Sequence, residues 1–277
     1  MTSLEPFDLE GYLARIGYAG DRRTTPATLA ALHASHNQSI TFENLDPLLR
    51  RPVALDLASL QAKLVHGGRG GWCFEQNRLF ATALQALGFD VTTLIARVLW
   101  NQAPGAITGR THMLLRVDLG GEPWIADVGF GGQTLTSPIR LVPGIEQATR
   151  HEPYRLVEEN GRYLLQIRVA GDWLSLYAFD LVPAHAIDYE MSNWYLCTQG
   201  SSHFLQSLVV ARVESGRRIT LRGNELATHS LVHGTQRRAL TTAGELRSAL
   251  EGTFRLRLPD DAKLDPMLER IAATGKA

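Results

Sequence analysis

The hydrophobic pattern of this 277-residue chain changes period near residue 90, and that change constrains the fold more than any other feature. Up to there, apolar residues recur with helical spacing. Leu9, Tyr12, Leu13 and Ile16 fall at i, i+3, i+4 and i+7, one face of a helix. Thr25-Pro26 predicts an N-cap followed by proline at the first helical position, with Leu29 and Leu32 continuing the apolar side. Asp56 is placed to cap a third helix carrying Leu57, Leu60 and Leu64. A fourth is expected over 73–87, with Phe80, Leu84 and Leu87 in one stripe and Gly88 at the stop position.

Beyond residue 90 the runs become short and strand-like: 91–100, 111–119, 123–128, 154–157, 163–169 and 173–179. Gly120-Gly121, Asn160-Gly161 and Gly171-Asp172 separate them as turns. This is antiparallel β structure, not a βαβ repeat. From about residue 201 the pattern is mixed. Ser215-Gly216 and Gly223-Asn224 suggest hairpins, and Thr242-Ala243-Gly244-Glu245 is a capping box ahead of Leu246 and Leu250. The fold class is α+β, with three segments expected at 1–90, 91–200 and 201–277.

Composition narrows the function classes. Apolar residues make up 44% and charged residues 20%, which excludes disordered and collagen-like chains. Lys plus Arg number 28 and so do Asp plus Glu, so bulk charge favours neither nucleic acid nor an anionic membrane as partner. Cys73 and Cys197 are the two cysteines, and two lone thiols suit a reducing compartment better than a disulfide framework. Residues 1–8 are acidic and do not read as a signal peptide, and no apolar run reaches the roughly 18–20 residues of a membrane span. A soluble cytoplasmic protein is expected.

His66-Gly67-Gly68-Arg69-Gly70-Gly71-Trp72-Cys73-Phe74-Glu75-Gln76-Asn77 places four glycines just ahead of a cysteine at a helix start. A helix N-terminus offers unpaired N–H groups and partial positive charge, so a thiol there gains nucleophilicity. A lone cysteine is more often a small buried hydrophobe, and that reading fits Cys197. No Gly-Lys-Ser/Thr follows, so the glycines are not a Walker-type phosphate loop. Arg69 could stabilise charge near Cys73 or tie the glycine loop.

An activated cysteine needs a base and an orienting group. With Gly120-Gly121 as the turn, Leu119 faces Glu122, Val117 faces Trp124 and Leu115 faces Ala126. The same register sets Leu114 opposite Asp127 and His112 opposite Gly129, so His112 and Asp127 are diagonal neighbours on one face, within about 7–8 Å. Met113, Leu115, Val117, Trp124 and Val128 form the other face, a core side. Taken singly, His112 and Asp127 are ordinary strand-end and turn residues. Spacing alone does not bring Cys73 to this hairpin. A metal site is not expected: the chain has no Cys-x-x-Cys and no His-Glu-x-x-His, and His33/His36 and His229/His233 are its close histidine pairs.

The blocks Arg69-Gly70-Gly71-Trp72-Cys73-Phe74-Glu75-Gln76-Asn77, Thr111-His112-Met113-Leu114-Leu115 and Asp127-Val128-Gly129-Phe130-Gly131-Gly132 resemble the arylamine N-acetyltransferase family. Ile40-Thr41-Phe42-Glu43-Asn44-Leu45-Asp46 and Ser202-His203-Phe204 share the resemblance, the latter with bacterial members. Trp72 departs from the more common tyrosine but keeps an aromatic ring. The resemblance implies an N-terminal helical bundle with the nucleophile, a central antiparallel β-barrel with histidine and aspartate, and a C-terminal α/β lid. It implies a cysteine-protease-like triad of Cys73, His112 and Asp127. It further implies acetyl-CoA as co-substrate and an arylamine, arylhydrazine or N-hydroxyarylamine as acceptor, as in xenobiotic metabolism. Val98, Phe130 and Phe204 would line the acceptor pocket, and Thr108 and Gly109 would lie where CoA enters. Gly129 and Gly131, in the 129–132 turn, could present N–H groups to CoA phosphates. The same triad could instead serve a thiol hydrolase or an amide synthase, and a binding module would leave Cys73 unreactive.

Overall fold

The computed structural model describes residues 6–103 and 105–274; residues 1–5 of the acidic N-terminal stretch lie outside this range. Helices α1 (Leu9–Arg15) and α2 (Pro26–Ser39) come first, then strand β1 (Phe42–Glu43), α3 (Leu45–Leu48), α4 (Leu57–Leu60) and α5 (Cys73–Ala86). Thr25 caps α2 by accepting from Thr28 N, and Pro26 opens the helix. Asp56 accepts from Ser59 N at the start of α4, which widens into a π-helical turn over Gln61–His66. Gly88 follows α5 with φ of 87°, the left-handed stop that glycine adopts at no steric cost. The buried stripes of α1, α2 and α5 form one core with Met113, Leu115, Val117, Ala126 and Val128, so the expected core side of the hairpin rests on the helices.

Strands β2 (Asp90–Val98), β3 (Arg110–Leu119), β4 (Glu122–Ala126), β5 (Ile139–Arg140), β6 (Glu146–Gln147), β7 (Tyr154–Glu159), β8 (Arg162–Val169) and β9 (Asp172–Phe179) build an antiparallel sheet in the order β5-β4-β3-β2-β9-β8-β7-β6. It curls around Leu94, Leu114, Ile125, Tyr154, Leu165 and Tyr177, a second core inside a nearly closed barrel. Gln147 stitches the two edge strands: its amide accepts from Arg140 N and donates to Arg140 O, at 2.8 and 2.9 Å.

Helix α6 (Ala186–Thr198) leads to a second sheet, in which β10 (Val209–Glu214), β11 (Arg217–Arg222), β12 (Glu225–Ser230) and β13 (Gly234–Ala239) follow β1 in order. Helices α7 (Ala243–Ser248) and α8 (Leu264–Ala273) cover it, burying Leu246, Leu250, Leu264, Met267 and Leu268 in a third core. The α+β architecture is as expected. No helix among the described residues is long and apolar enough to cross a membrane.

Candidate active site

The glycine loop before Cys73 is held by β1. Gly71 N donates to Thr41 O and Glu43 N donates to Gly71 O, both at 3.2 Å. A Cβ on Gly70 would stand 2.1 Å from the Thr41 carbonyl oxygen, so only glycine allows this approach. Glu75 accepts from Trp72 N at 3.0 Å and caps α5 from its third position. Lys63 binds Glu75 and Asp46, each at 2.7 Å, while Arg69 binds Glu43 at 2.9 Å and Asp46 at 3.0 Å. Arg69 is thus tied into a buried ionic lattice under the loop, the structural one of its two readings. Burial opposes the Lys63 charge, but Glu75, Glu43 and Asp46 together hold it firmly protonated.

Cys73 is the first residue of α5, where N–H groups have no helical acceptor. Its thiol donates to the Thr111 carbonyl at 3.6 Å. That carbonyl points out of the sheet because β3 carries a bulge: Ala96 pairs with His112 but Arg97 pairs with Arg110, leaving Thr111 out of register. Bulges re-aim side chains beside active sites in just this way. The expected hairpin register holds, with Leu119 opposite Glu122, Val117 opposite Trp124 and Leu115 opposite Ala126. The strand ends one residue before Asp127, short of the expected 128, because the main chain there turns to other partners. Val128 N donates to Asn77 Oδ1, and Asp127 O accepts from Thr134 Oγ1.

His112 Nε2 lies 2.7 Å from Asp127 Oδ2, and both side chains are buried. Tyr177 OH donates to the same oxygen at 3.0 Å; Asn77 Nδ2 and Gly129 N donate to Oδ1, each at 2.9 Å. Four donors on one carboxylate lock its direction. Burial alone would push the His112 imidazole down. The charge and hydrogen bond of Asp127, helped by the nearby Cys73 sulfur, overcome burial and hold the ring protonated up to about 10. Burial likewise opposes the Asp127 charge, and His112 and Asn77 bring its carboxyl below the usual carboxylate range. The structure therefore gathers Cys73, His112 and Asp127 at one place, with an imidazolium favoured between a sulfur and a carboxylate.

Phe130 and Tyr177 pack on the His112 ring, with centroids 5.0 and 4.8 Å away. Phe204 meets Trp72, next to the cysteine, at 5.2 Å. Val98 is half-buried at the end of β2 opposite Tyr177, and its carbonyl accepts from Thr108 Oγ1 at 2.8 Å. Arg97 donates to the Thr108 carbonyl, and Gly109 is exposed just ahead of β3. Gly131 is buried with φ of 75° against the Phe42 ring. Gly129 rests on the start of α5: a Cβ there would lie 2.7 Å from Cys73 Cα and 2.8 Å from Asn77 Nδ2. Gly129→Ala is expected to push the start of α5 off His112 and slow iodoacetamide alkylation of Cys73 by roughly tenfold or more. A wild-type alkylation rate in that variant would show that this contact does not set the geometry.

Sequence reasoning assigned no role to Asn77, Tyr177 or His33. Asn77 carried a usable signal, since i+4 from Cys73 puts it on the same side of the helix. Tyr177 reaches Asp127 only through barrel closure, which no local pattern encodes. No group of three or more His, Cys, Asp or Glu side chains able to hold a metal occurs among the described residues.

A family profile described as N-acetyltransferase matches residues 25–263 of this chain. The chain is 45% identical over 262 residues to an arylamine N-acetyltransferase of Mycolicibacterium smegmatis, covering 93% of this chain and 95% of that one. It is 39% identical over 253 residues to a Salmonella typhimurium protein named arylamine N-acetyltransferase / N-hydroxyarylamine O-acetyltransferase, covering 91% and 90%. The solved structure of Mycobacterium marinum arylamine N-acetyltransferase in complex with CoA matches with a TM-score of 0.92 at 36% identity, covering 95% of this chain and 99% of that one.

Proposed function

Because this chain belongs to the arylamine N-acetyltransferase family, a family of acyltransferases, we propose that it moves the acetyl group of acetyl-CoA to arylamines and arylhydrazines through an acetyl-Cys73 intermediate. O-acetylation of N-hydroxyarylamines belongs to the same reading, since a Salmonella relative carries that name. The observation that carries it is the 2.7 Å bond between His112 and Asp127 beside a cysteine that opens a helix. Residues 1–90 would supply the nucleophile, 91–200 the histidine and carboxylate, and 201–277 a cover.

Cys73 acts as thiolate with His112 as imidazolium. The sulfur attacks the thioester carbonyl, the carbon–sulfur bond to CoA breaks, and the departing CoA thiolate takes the His112 proton. First-turn N–H groups of α5 stabilise the tetrahedral oxyanion. The aromatic amine, neutral at pH 7, then attacks the acetyl-enzyme. His112 accepts its proton, and Cys73 leaves as thiolate. Asp127 keeps Nε2 engaged, so Nδ1 is the nitrogen that serves the sulfur and the substrates. Val98, Phe130 and Phe204 are read as apolar lining for the acceptor ring. Thr108, Gly109, Gly129 and Gly131 are read as contacts for CoA, with which the Mycobacterium marinum relative forms a complex.

The test needs only acetyl-CoA and the protein. Intact-mass spectrometry is expected to show one acetyl group on Cys73, with a stoichiometric burst of free CoA, and aniline or hydrazine should discharge it. Hydrolysis of the adduct as fast as it forms would point to a thiol hydrolase. Indifference to acetyl-CoA would point to an amide synthase with a tethered donor.

A further inference from the structure

Helix α2 contributes nothing to the reaction as just described, yet two of its buried histidines reach both halves of the site. His36 accepts from Tyr12 OH at Nδ1, 2.9 Å, and its Nε2 lies 3.3 Å from Gln76 Oε1, whose amide donates to Gly71 O at 2.7 Å. One turn earlier, His33 Nε2 lies 3.1 Å from the main-chain carbonyl oxygen of Asp127. Neither ring touches solvent.

We propose that His33 is a positioning residue whose neutral imidazole clamps the Asp127 backbone and so aims its carboxylate at His112. The inference rests on the reading of Asp127 as the partner of His112. The tautomer follows from Asn37. Its amide nitrogen donates one N–H to Leu135 O at 2.7 Å and the other to His33 Nδ1 at 3.2 Å. With Nδ1 an acceptor, Nε2 carries the hydrogen and donates to Asp127 O; Asp127 N also lies 3.3 Å from Nε2 and would donate to it only in the opposite tautomer. Asp127 needs such a clamp because it stands one residue beyond the β4 ladder and has no strand partner. Thr134 Oγ1 donates to the same carbonyl at 3.0 Å, and the Phe80 ring packs against the imidazole at near right angles, with centroids 5.8 Å apart. Rotating the Asp127 peptide swings its side chain, so fixing the carbonyl fixes the carboxylate.

The test reads His112 directly, by NMR titration of 15N-labelled histidines in the wild type, His33→Leu and His33→Gln. Glutamine sets an amide N–H where the imidazole Nε2–H stands. The groups facing His112 are Asp127, Cys73 and Tyr177; those facing His33 are Asp127, His36 and Arg150. The leucine variant is expected to lower the His112 midpoint by roughly one pH unit and glutamine to restore most of it. Acetylation in the leucine variant should fall roughly ten- to a hundredfold with the acceptor KM nearly unchanged. A folded leucine variant with a wild-type His112 midpoint, or a glutamine variant no better than leucine, overturns the proposal. Should leucine prevent folding, the wild type still decides: His33 must show the neutral Nε2–H tautomer at pH 7, and the Nδ1–H form, in which Nε2 would accept from Asp127 N instead, refutes the clamp on the carbonyl. A wild type that responds as expected at His112 but takes no acetyl group sinks the acetyl-transfer reading and leaves the clamp standing.

Discussion

Replacing Cys73 with alanine is expected to abolish acetyl transfer, by at least about four orders of magnitude in kcat/KM. In the proposed reaction every turnover passes through a bond to this sulfur, so no other group shares the loss. Cys197 supplies the internal control. It is half-buried, and burial pushes its thiol up to about 11, so little thiolate exists there at neutral pH. The acetyl adduct should therefore vanish in Cys73→Ala and persist in Cys197→Ala. Steady-state assay with acetyl-CoA and aniline, together with intact mass, checks both. Substantial turnover in Cys73→Ala would mean that the amine attacks acetyl-CoA directly within a binding cleft, and the covalent route would be lost.

The reach of the sequence is seen best at the hairpin. A two-residue glycine turn and strict alternation gave the register, and the register put His112 and Asp127 on one face, where they hydrogen-bond at 2.7 Å. The arrival of Cys73 was not legible locally, because it depends on β1 docking the glycine loop and on a bulge at Thr111. Helix α6 escaped detection for a different reason. Ile187, Met191 and Trp194 are 58%, 66% and 67% exposed, while Tyr189, Asn193 and Leu196 are buried, so apolar residues lie on both faces and no single stripe marks the helix. Strand β13 is exposed along its whole length and has no alternation to read. Helix α8 did carry a regular signal, with Leu264, Met267, Leu268 and Ile271 at i, i+3, i+4 and i+7. The ionic lattice beneath the loop joins residues from 43 to 75 whose pairing no sequence spacing reveals; it exists because α3, the π-helical turn and α5 converge there.

The same two histidines that bracket the site should make the protein acid-labile. Burial pushes His33 down to about 4 and His36 down to about 3. In the unfolded chain both regain an ordinary value near 6.5. Between those limits the unfolded state binds protons that the native state refuses, so stability falls as pH falls. Each histidine contributes a slope of about 1.4 kcal/mol per pH unit, and two contribute nearly 3. The loss should begin near pH 6.5 and, by pH 4.5, reach about 5 kcal/mol, a large share of a typical domain's stability. Partial burial pushes His151, His203 and His229 the same way and adds to the slope. His112 acts in the opposite sense. Its native value is raised, so its contribution is complete below about 6.5 and is lost only as pH climbs toward 10. Asp127, held low, weakens the native state only below the ordinary aspartate range near 3.8. Stability should therefore peak near pH 6.5, with the acid side governed by α2. Urea unfolding midpoints from pH 7.5 to 4.5 measure the slope directly. His36→Gln, which keeps a donor toward Gln76 but cannot titrate, should remove one histidine's share of it. A flat profile across that range, or an unchanged slope in the variant, would show that these rings find protonated conformations without unfolding.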